Sequence, residues 1–425
     1  MTLTLPNLTL DTLVPDLRRQ FPSLSRMHAD QPVVYLDGPA GSQVPQSVID
    51  AISDYYVRCN ANRNGHFASS HQTDHLMEDA HRAAAAWFNA TDPDETIFGA
   101  NMTSLTFSFS RALAQAWKPG DEVVVTQLDH DANITPWRMA AKDRGASTRM
   151  VRVKKDDATL DLDHFAEQIN PRTRLVAVTC ASNSVGSRTQ VAQLVDIAHR
   201  SGAEVYLDAV HLAPHSLIDV QQWQADFVVC SAYKFFGPHV GLLWGRKKRL
   251  QSINAYKVRP APNDTPGKWM TGTQNHAAIC GVTAAIDYLC DIGRKLSGQS
   301  NLDRRSALTS AFPAIENYEQ RLLTRLVAGL SEISGIKVFG ITDPNQFAQR
   351  VPTIALTVDG RPSAEVAARL GEAGIFAWHG NYYAVEVCDA LGQSQHGMVR
   401  LGLLHTNTME EVERTLQAVA KIAQP

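Results

Sequence analysis

Several polar residues follow apolar, strand-like segments of the sequence, and two of them could carry out chemistry as a pair. Asp208 ends such a segment in YLDAVH, and Lys234 follows another in ADFVVCSAYK. A lysine in an apolar pocket has a lowered pKa and can form a Schiff base, although alone these residues could also be a surface lysine and a helix cap. Pyridoxal phosphate needs a lysine for its aldehyde and an acid that keeps its ring nitrogen protonated. The pair therefore predicts a pyridoxal-phosphate site.

A phosphate group binds well to the N–H groups and hydroxyls at the start of a helix, and GANMTSLTFSFSRAL offers such a start. Asn101, Thr103 and Ser104 lie directly before an apolar helical pattern. The same residues suit an ordinary helix N-cap, and the local sequence does not separate the two interpretations. His130, in QLDHDANITPW, follows another strand-like segment and could be a surface histidine or part of the site.

The segments around these residues predict the elements that position them. DEVVVTQ, TRLVAVTC, AEVYLDAV and ADFVVCSAY are nearly continuous apolar runs, as in strands of a parallel sheet that is covered on both faces. They alternate with helical patterns such as VAQLVDIAHRSG, which predicts a three-layer α/β domain over residues 31–290. Ligands of such sheets bind beyond the carboxyl ends of the strands, where Asn183, Asp208, His211 and Lys234 lie.

The rest of the chain predicts a second, smaller body. The polar stretch Gly293–Arg305 is typical of a surface connection. The long amphipathic segment IENYEQRLLTRLVAGL and the strand-like GIKVFG, PTIALTV and MVRLGLL follow it, so we expect a small α+β domain over residues 291–425. The N-terminal segment, residues 1–30, has no core of its own and is expected to pack on this small domain.

Composition restricts the class of protein. The 425 residues contain 40 Lys and Arg and 43 Asp and Glu, a formal net charge of −3, which gives no basic surface for nucleic acid or an anionic membrane. No apolar run approaches the ~18 residues of a membrane helix, and MTLTLPNLTL, which contains Pro6, does not resemble a secretory signal. Six cysteines without a CxxC pair indicate free thiols. We therefore expect a cytoplasmic globular protein without nucleic-acid or membrane partners.

Six motifs resemble those of a known family in both order and spacing. They are NMTS, LDHDANITPW, ASNSVG, LDAVH, SAYK and TGTQN. Together they resemble the class V aminotransferase family of pyridoxal-phosphate enzymes, fold type I, and are most similar to its cysteine desulfurase-like branch, from about Tyr35 to Thr408. The resemblance implies a large cofactor domain, a smaller C-terminal domain, and a homodimer with active sites at its interface.

The resemblance also implies roles for individual residues around the cofactor. Lys234 would form the Schiff base and then move protons, Asp208 would pair with the pyridine nitrogen, and His130 would stack on the ring. Thr273 matches a residue that reaches the phosphate of the partner subunit. The remaining cofactor positions are Met102, Thr103 and Ser231 at the phosphate, Asn183 near the ring oxygen, and His211, where the desulfurases carry a glutamine that contacts the phenolic oxygen.

On the substrate side, the resemblance implies a clamp for a small α-amino acid. Arg400, in GMVRLGLLHTNT, matches the arginine that holds the α-carboxylate, a task that suits a bidentate guanidinium. The segments LDGPAGSQVP and NANRNGHF resemble loops on the substrate side of the site. They place Gly41, Ser42, Arg63 and His66 near the substrate.

The chain also departs from the family pattern. Tyr233 replaces the histidine that precedes the lysine, and His211 replaces the glutamine. The desulfurase cysteine that accepts sulfur lies on a small-domain loop, and the tyrosines of WHGNYYAVEVC, Tyr382 and Tyr383, fall near its position. Cys388 follows them, but Val385 and Val387 alternate as in a strand, which predicts a buried structural thiol. The sequence therefore predicts no mobile thiolate that would readily store sulfur as a persulfide.

Other classes of function have weaker support. His71 and His75 of HQTDH, with Asp79 one turn further, have metal-ligand spacing, but a glutamine replaces the zinc-protease glutamate and no second ligand cluster follows. We therefore predict no metal. The sequence contains neither GxGxxG nor GxxxxGK[ST], the motifs expected of a nicotinamide dehydrogenase or a P-loop protein.

The residues therefore predict an enzyme rather than a binding protein on the same fold, because packing alone requires none of Lys234, Asp208 and Arg400. We expect a pyridoxal-phosphate enzyme that acts on a small α-amino acid. The favoured reaction is that of a cysteine desulfurase-like C–S lyase, which removes sulfur from cysteine or a cysteine derivative. The alternative is a class V aminotransferase or epimerase that uses the same quinonoid without releasing sulfur.

Overall fold

The computed structural model of the protein describes residues 8–424, so the first seven residues of the predicted N-terminal segment lie outside the described part. The strands are β1 (Met27–His28), β2 (Gln31–Pro32), β3 (Val34–Tyr35), β4 (Thr96–Gly99), β5 (Glu122–Thr126), β6 (Ser147–Val151), β7 (Thr173–Thr179), β8 (Glu204–Asp208), β9 (Phe227–Ser231), β10 (Gly241–Gly245), β11 (Ile336–Phe339), β12 (Thr353–Val358), β13 (Ile375–Phe376), β14 (Trp378–Gly380) and β15 (Met398–Gly402).

Helices precede, separate and follow these strands. The helices are α1 (Leu10–Arg19), α2 (Gln46–Arg58), α3 (Ala68–Phe88), α4 (Met102–Leu113), α5 (Thr135–Asp143), α6 (Leu162–Gln168), α7 (Val191–Arg200), α8 (Val220–Trp223), α9 (Lys247–Ser252), α10 (His276–Ser297), α11 (Arg304–Glu332), α12 (Ser363–Glu372), α13 (Val385–Ala390) and α14 (Met409–Ala423). None of the helices within residues 8–424 combines the length and the apolar character needed to span a membrane.

The central sheet has seven strands in the order β4-β10-β9-β8-β7-β5-β6. The strands from β9 to β6 are parallel, and β10 is antiparallel to both of its neighbours. Successive residues point to opposite faces of a strand, so Val123 and Val125 join one hydrophobic cluster and Val124 joins the other. Apolar side chains on both faces explain the continuous apolar runs, and the predicted three-layer α/β architecture is confirmed.

The C-terminal part contains an antiparallel sheet in the order β11-β12-β15-β14. Helices α11 and α12 pack on this sheet, α14 packs against both of these helices, and α1 packs against α11. Arg18 of α1 also donates a hydrogen bond to Glu411 of α14 at 2.8 Å. The hydrophobic cluster on one face of the central sheet continues into this region, where it includes Ile354 and Val399. The two sheets therefore share one continuous core.

Two local predictions were wrong. Residues 293–297 are not a surface connection, because α10 continues to Ser297 and ends only where Gly298 adopts a left-handed conformation, φ 68°. The predicted domain boundary at residues 290 and 291 thus lies inside α10. At Gly293 this helix touches α11 so closely that a Cβ would lie 1.9 Å from the carbonyl oxygen of Ala307. The second error concerns residues 385–387, which form the start of α13 rather than a strand.

Candidate active site

A cavity of about 640 Å³ lies beyond the carboxyl ends of β7, β8 and β9, whose last residues line it. This is the position where open α/β sheets bind ligands. Many of the predicted cofactor residues line this cavity together. They are Met102, Thr103, His130, Asn183, Asp208, His211, Ser231 and Lys234.

Lys234 ends a short 3-10 turn that follows β9 directly, and its side chain is buried. Its ammonium donates a hydrogen bond to the carbonyl of Pro39. Burial and the positive charge of Arg400 lower the pKa of Lys234 to about 7, although Asp208 and Asp37 oppose this shift. A large fraction of the amine is therefore uncharged near neutral pH and able to attack an aldehyde.

Asp208 is the last residue of β8, and its carboxyl group is buried at the floor of the site. Its Oδ1 accepts a hydrogen bond from the N–H of Val210 at 2.8 Å. Burial raises the pKa of Asp208 to about 6, while that hydrogen bond and the charge of Lys234 oppose the shift. A buried carboxylate of this kind is suited to pair with a protonated ring nitrogen, because the pair removes the cost of the isolated charge.

The start of α4 forms one side of the cavity. Asn101 caps this 12-residue helix by accepting a hydrogen bond from the N–H of Ser104 at 2.8 Å, and the N–H of Met102 donates to Ser231 Oγ at 3.0 Å. Strand β10 comes so close that a Cβ on Gly241 would lie 2.5 Å from the carbonyl carbon of Asn101. The N–H groups and hydroxyls at this helix start suit an anion.

His130 provides an uncharged aromatic ring at the cavity. Its Nδ1 accepts a hydrogen bond from the N–H of Ala132 at 3.0 Å. Burial, followed by the charges of Lys234 and Arg400, lowers the pKa of His130 to about 4. The ring also stacks on Tyr383, with 5.4 Å between centroids and 28° between planes. A neutral imidazole held in this way can cover a planar heterocycle.

Among the side chains that line the cavity, Asn183 and His211 each have one buried polar atom without a partner in the described part of the chain, Asn183 Oδ1 and His211 Nδ1. The other polar atoms of these side chains are engaged: Asn183 Nδ2 donates to the carbonyl of Tyr382 at 3.0 Å, and His211 Nε2 lies 2.9 Å from Thr353 Oγ1. Buried polar groups are nearly always hydrogen-bonded, so both atoms are expected to find a partner in a ligand. With Lys234, Asp208 and the helix start, they fit the functional groups of pyridoxal phosphate.

Arg400 lies on β15 of the C-terminal sheet and is buried, and it does not itself line the cavity. Its Nη1 donates to the carbonyl of Asn183 at 2.8 Å, and its guanidinium lies 4.3 Å from the ring centroid of Tyr382. Burial lowers the pKa of Arg400 to about 10, so it stays charged at neutral pH. Its Nε has no partner among residues 8–424, which leaves a donor for a carboxylate.

The loop before α13 is a part of the site that the sequence prediction did not assign. Tyr382 and Tyr383 both have left-handed backbone conformations, with φ of 57° and 58°. The N–H of Asp131 donates to the carbonyl of Tyr383 at 2.7 Å, and the Tyr382 hydroxyl donates to the carbonyl of Met398. Non-glycine residues in this conformation require strong support from their surroundings and concentrate at functional sites.

Asp37 is a second site residue that the prediction missed, although it belongs to the LDGPAGSQVP segment. Burial raises the pKa of its carboxyl group, while Arg400 and Lys234 both act on it electrostatically to lower it. Its Oδ1 is buried without a partner in the described residues. The available signal in the sequence was the position of this acidic residue, directly between the apolar pair Tyr35–Leu36 and the turn that begins at Gly38.

Cys388 lies on α13 and is completely buried. Burial raises the pKa of this thiol to about 11. Like the other five cysteines, it forms no disulfide. A thiol in this environment is largely protonated at neutral pH and is a poor nucleophile.

The structure does not bring every predicted substrate residue to the cavity. Arg63 pairs with Asp74 at 3.0 Å, and His66 is exposed. Ser42 supports the lysine turn, since its hydroxyl donates to the carbonyl of Tyr233 and accepts from the N–H of Phe236. A Cβ on Gly41 would lie 3.2 Å from the Tyr233 ring, so this backbone also packs on the turn.

Thr273 lies outside this cavity, in a neighbouring one of about 440 Å³. Ser104 and His239 line both cavities, so the second cavity adjoins the start of α4. The ring of His239 stacks on Tyr233, with 4.7 Å between centroids and 7° between planes. Thr273 thus lines the cavity that adjoins the start of α4 and does not line the first cavity.

The histidines of HQTDH lie on α3, and Asp79 accepts two hydrogen bonds from Arg304 at 2.8 and 2.7 Å. Within residues 8–424 there is no group of three or more His, Cys, Asp or Glu side chains that could hold a metal ion.

Comparison with known proteins extends over almost the whole chain. The profile of the aminotransferase class-V family matches residues 34–415. The chain is 31% identical to a probable cysteine desulfurase of Halobacterium salinarum, over 97% of each protein. It is 30% identical to a cysteine desulfurase of Synechococcus elongatus over 96% of its own length, and it spans 63% of the length of that relative.

Solved structures show the same architecture. The apo structure of a cysteine desulfurase from Thermococcus onnurineus superposes with a TM-score of 0.83, at 24% identity and over 96% of this chain and 98% of the other. At this level of identity, the similarity concerns the fold. The predicted fold type I architecture is therefore confirmed.

Proposed function

The chain belongs to the aminotransferase class-V family, and on this premise we propose that it is a pyridoxal-phosphate enzyme that removes sulfur from cysteine or a cysteine derivative, a cysteine desulfurase-like C–S lyase. The observation that carries the proposal is that the buried side chains of Lys234 and Asp208 line one cavity, where burial and the charge of Arg400 lower the pKa of the lysine to about 7. The names of the relatives support sulfur as the group that leaves.

The residues of the cavity fit the cofactor group by group. The N–H groups and hydroxyls at the start of α4, with Ser231, would hold the phosphate, and Asp208 would hold the proton on the ring nitrogen. His130 would cover the ring, and Asn183 and His211 would bind its oxygen. Bound pyridoxal phosphate supplies an electron-accepting ring that stabilises negative charge at the substrate Cα.

The remaining steps fall to side chains of this protein. Arg400 would bind the substrate α-carboxylate through donors that include its unpartnered Nε, and would thereby orient the Cα–H bond. Lys234, displaced by the substrate amine, would take the Cα proton as a general base, which its lowered pKa allows at neutral pH. Breakage of the Cβ–S bond then releases sulfide, and hydrolysis of the remaining fragment gives pyruvate and ammonia.

We propose release of sulfide rather than its storage on the protein. The buried Cys388, whose pKa is raised to about 11, is a poor acceptor for sulfur. Tyr382 and Tyr383 occupy the loop near the expected position of the acceptor cysteine, and their backbone is hydrogen-bonded to Asn183 and Asp131. This combination favours β-elimination without a persulfide.

The quaternary structure and compartment are part of the same proposal. A homodimer would bring Thr273, in the cavity beside the start of α4, to the phosphate of the partner subunit. Six free cysteines and a near-neutral charge suit a reducing compartment, so we propose a cytoplasmic enzyme. Arg63 and His66 remain proposed substrate-side residues.

The test is incubation of the cofactor-loaded protein with cysteine in the absence of any keto acid. We expect sulfide and pyruvate in equal amounts over many turnovers, and neither product from the Lys234→Ala variant. Conversion of the cofactor to its amine form after one turnover, without sulfide, would overturn the lyase and support the aminotransferase. Exchange of the Cα proton with solvent, without either product, would support an epimerase.

A further inference from the structure

His211 of the large domain and Thr353 of the C-terminal sheet form a buried hydrogen bond across the two parts of the protein. The distance from His211 Nε2 to Thr353 Oγ1 is 2.9 Å, and both side chains are buried. Thr353 is the first residue of β12, the strand that pairs with β15, which bears Arg400. One sheet therefore carries both the proposed carboxylate clamp and the partner of a cavity histidine.

The His211 ring is held on another side as well. His215 packs against it edge to face, with 5.6 Å between centroids and 74° between planes. His215 Nδ1 in turn lies 2.8 Å from Glu319 Oε2, and these two side chains are 4% and 1% exposed. The imidazole therefore has a fixed plane, one engaged nitrogen, and one nitrogen without a protein partner in the described chain, Nδ1.

We propose that Thr353 is a positioning residue that sets the tautomer of His211, so that Nδ1–H donates a hydrogen bond to the anionic ring oxygen of the bound cofactor. The inference rests on the proposed function, because it requires pyridoxal phosphate in the cavity. Thr353, which does not line the cavity, would thus act on the cofactor through His211.

The chemistry of the two side chains supports this assignment. A neutral imidazole carries one N–H, and the hydrogen bond at one nitrogen decides where that proton lies. If the Thr353 hydroxyl donates to Nε2, the proton lies on Nδ1. An anionic oxygen accepts hydrogen bonds only, so it favours the same tautomer. Without the hydroxyl, a buried Nε2 would lose its partner and the preference for this tautomer would disappear.

The test compares Thr353→Val with Thr353→Ser, because valine keeps the shape and the strand propensity and serine keeps the hydroxyl. Two properties of the loaded protein are measured: the dissociation constant of pyridoxal phosphate and the pH midpoint of its visible colour change. Thr415→Val is the matched control, since Thr415 is equally buried but its hydroxyl donates to the carbonyl of Glu411 within α14.

For Thr353→Val we expect a dissociation constant raised about 3- to 10-fold and a midpoint raised by about half a unit to one unit, because the anionic oxygen loses a donor. Lys234, Arg400 and His215, the other charged or titratable groups that act on His211, are unchanged in this variant. Thr353→Ser and Thr415→Val should resemble the wild type. Wild-type behaviour of Thr353→Val, or equal shifts in the valine and serine variants, would overturn the proposal.

A double-mutant cycle with His211→Gln isolates the route of the effect. Glutamine has no tautomers, so adding Thr353→Val to His211→Gln should change the midpoint by less than a third of its effect in the wild type. An undiminished effect would overturn the proposal, since Thr353 would then act without His211. A wild-type protein that binds no pyridoxal phosphate would refute the proposed function itself, whereas the other negative outcomes refute only the role of Thr353.

Discussion

The guanidinium of Arg400 lies over the ring of Tyr382, 4.3 Å from its centroid, while its Nη1 donates to the carbonyl of Asn183 at 2.8 Å. Asn183 Nδ2 donates to the carbonyl of Tyr382, so the three residues hold one another. This arrangement fixes the proposed carboxylate clamp between the C-terminal sheet and the cavity. It also places a tyrosine, rather than a mobile thiol, beside the clamp.

Arg400→Lys should raise KM for the amino acid about 10- to 100-fold and change kcat much less, because an ammonium cannot make the bidentate contact with a carboxylate. The measurement is steady-state kinetics of sulfide release. Tyr382→Phe keeps the aromatic face over the guanidinium but removes the hydrogen bond to the Met398 carbonyl, so it measures how much the loop itself contributes. A fall in kcat at unchanged KM would contradict the proposed role of Arg400.

The lowered pKa of Lys234 predicts how cofactor binding depends on pH. Below pH 7 the ammonium form prevails and cannot attack the aldehyde, whereas above pH 7 the free amine prevails. The rate at which the apoprotein gains its visible absorption should therefore rise about 10-fold from pH 6 to pH 8. Lys234→Ala should abolish the band, and Lys268→Ala, at another buried lysine with a lowered pKa, should not. A rate that is independent of pH would argue against Lys234 as the nucleophile.

Cys388→Ala and Cys388→Ser should keep sulfide release within about twofold of the wild-type rate, because a buried, protonated thiol does not accept sulfur. Cys290→Ala, at another buried cysteine, is the control for loss of packing. Loss of sulfide release in both Cys388 variants, with normal cofactor absorption and a normal Cys290 variant, would show that a persulfide forms on Cys388.

Mixed dimers test whether the two subunits of the proposed homodimer share their sites. Thr273→Glu should weaken cofactor binding by repulsion of the phosphate of the partner subunit, and Lys234→Ala should inactivate its own site. After subunit exchange between the two variants, about a quarter of the sites should combine Lys234 with an intact Thr273 and regain activity. No gain of activity, with exchange verified by mass spectrometry, would exclude a shared site.

Much of the fold was predictable from the sequence because its signals are local. The runs in β5, β7, β8 and β9 are apolar on both faces, which identifies strands of a covered parallel sheet. The same reasoning failed at Val385 and Val387, because two apolar residues that lie two positions apart occur in strands and in helices alike. In the structure, Ala384, Val387 and Cys388 are the buried positions, with the three- and four-residue spacing of a helix face.

The sequence by itself determined which side chains lie at the strand ends, and so it predicted Lys234 and Asp208 as a cofactor pair. Only the tertiary structure decided how residues far apart in the chain act on them. The contacts of His211 with Thr353 and of Arg400 with Asn183 join residues 142 and 217 positions apart. Burial and neighbouring charge, which set the pKa of Lys234 and of Cys388, arise from such contacts, because both depend on distance in space.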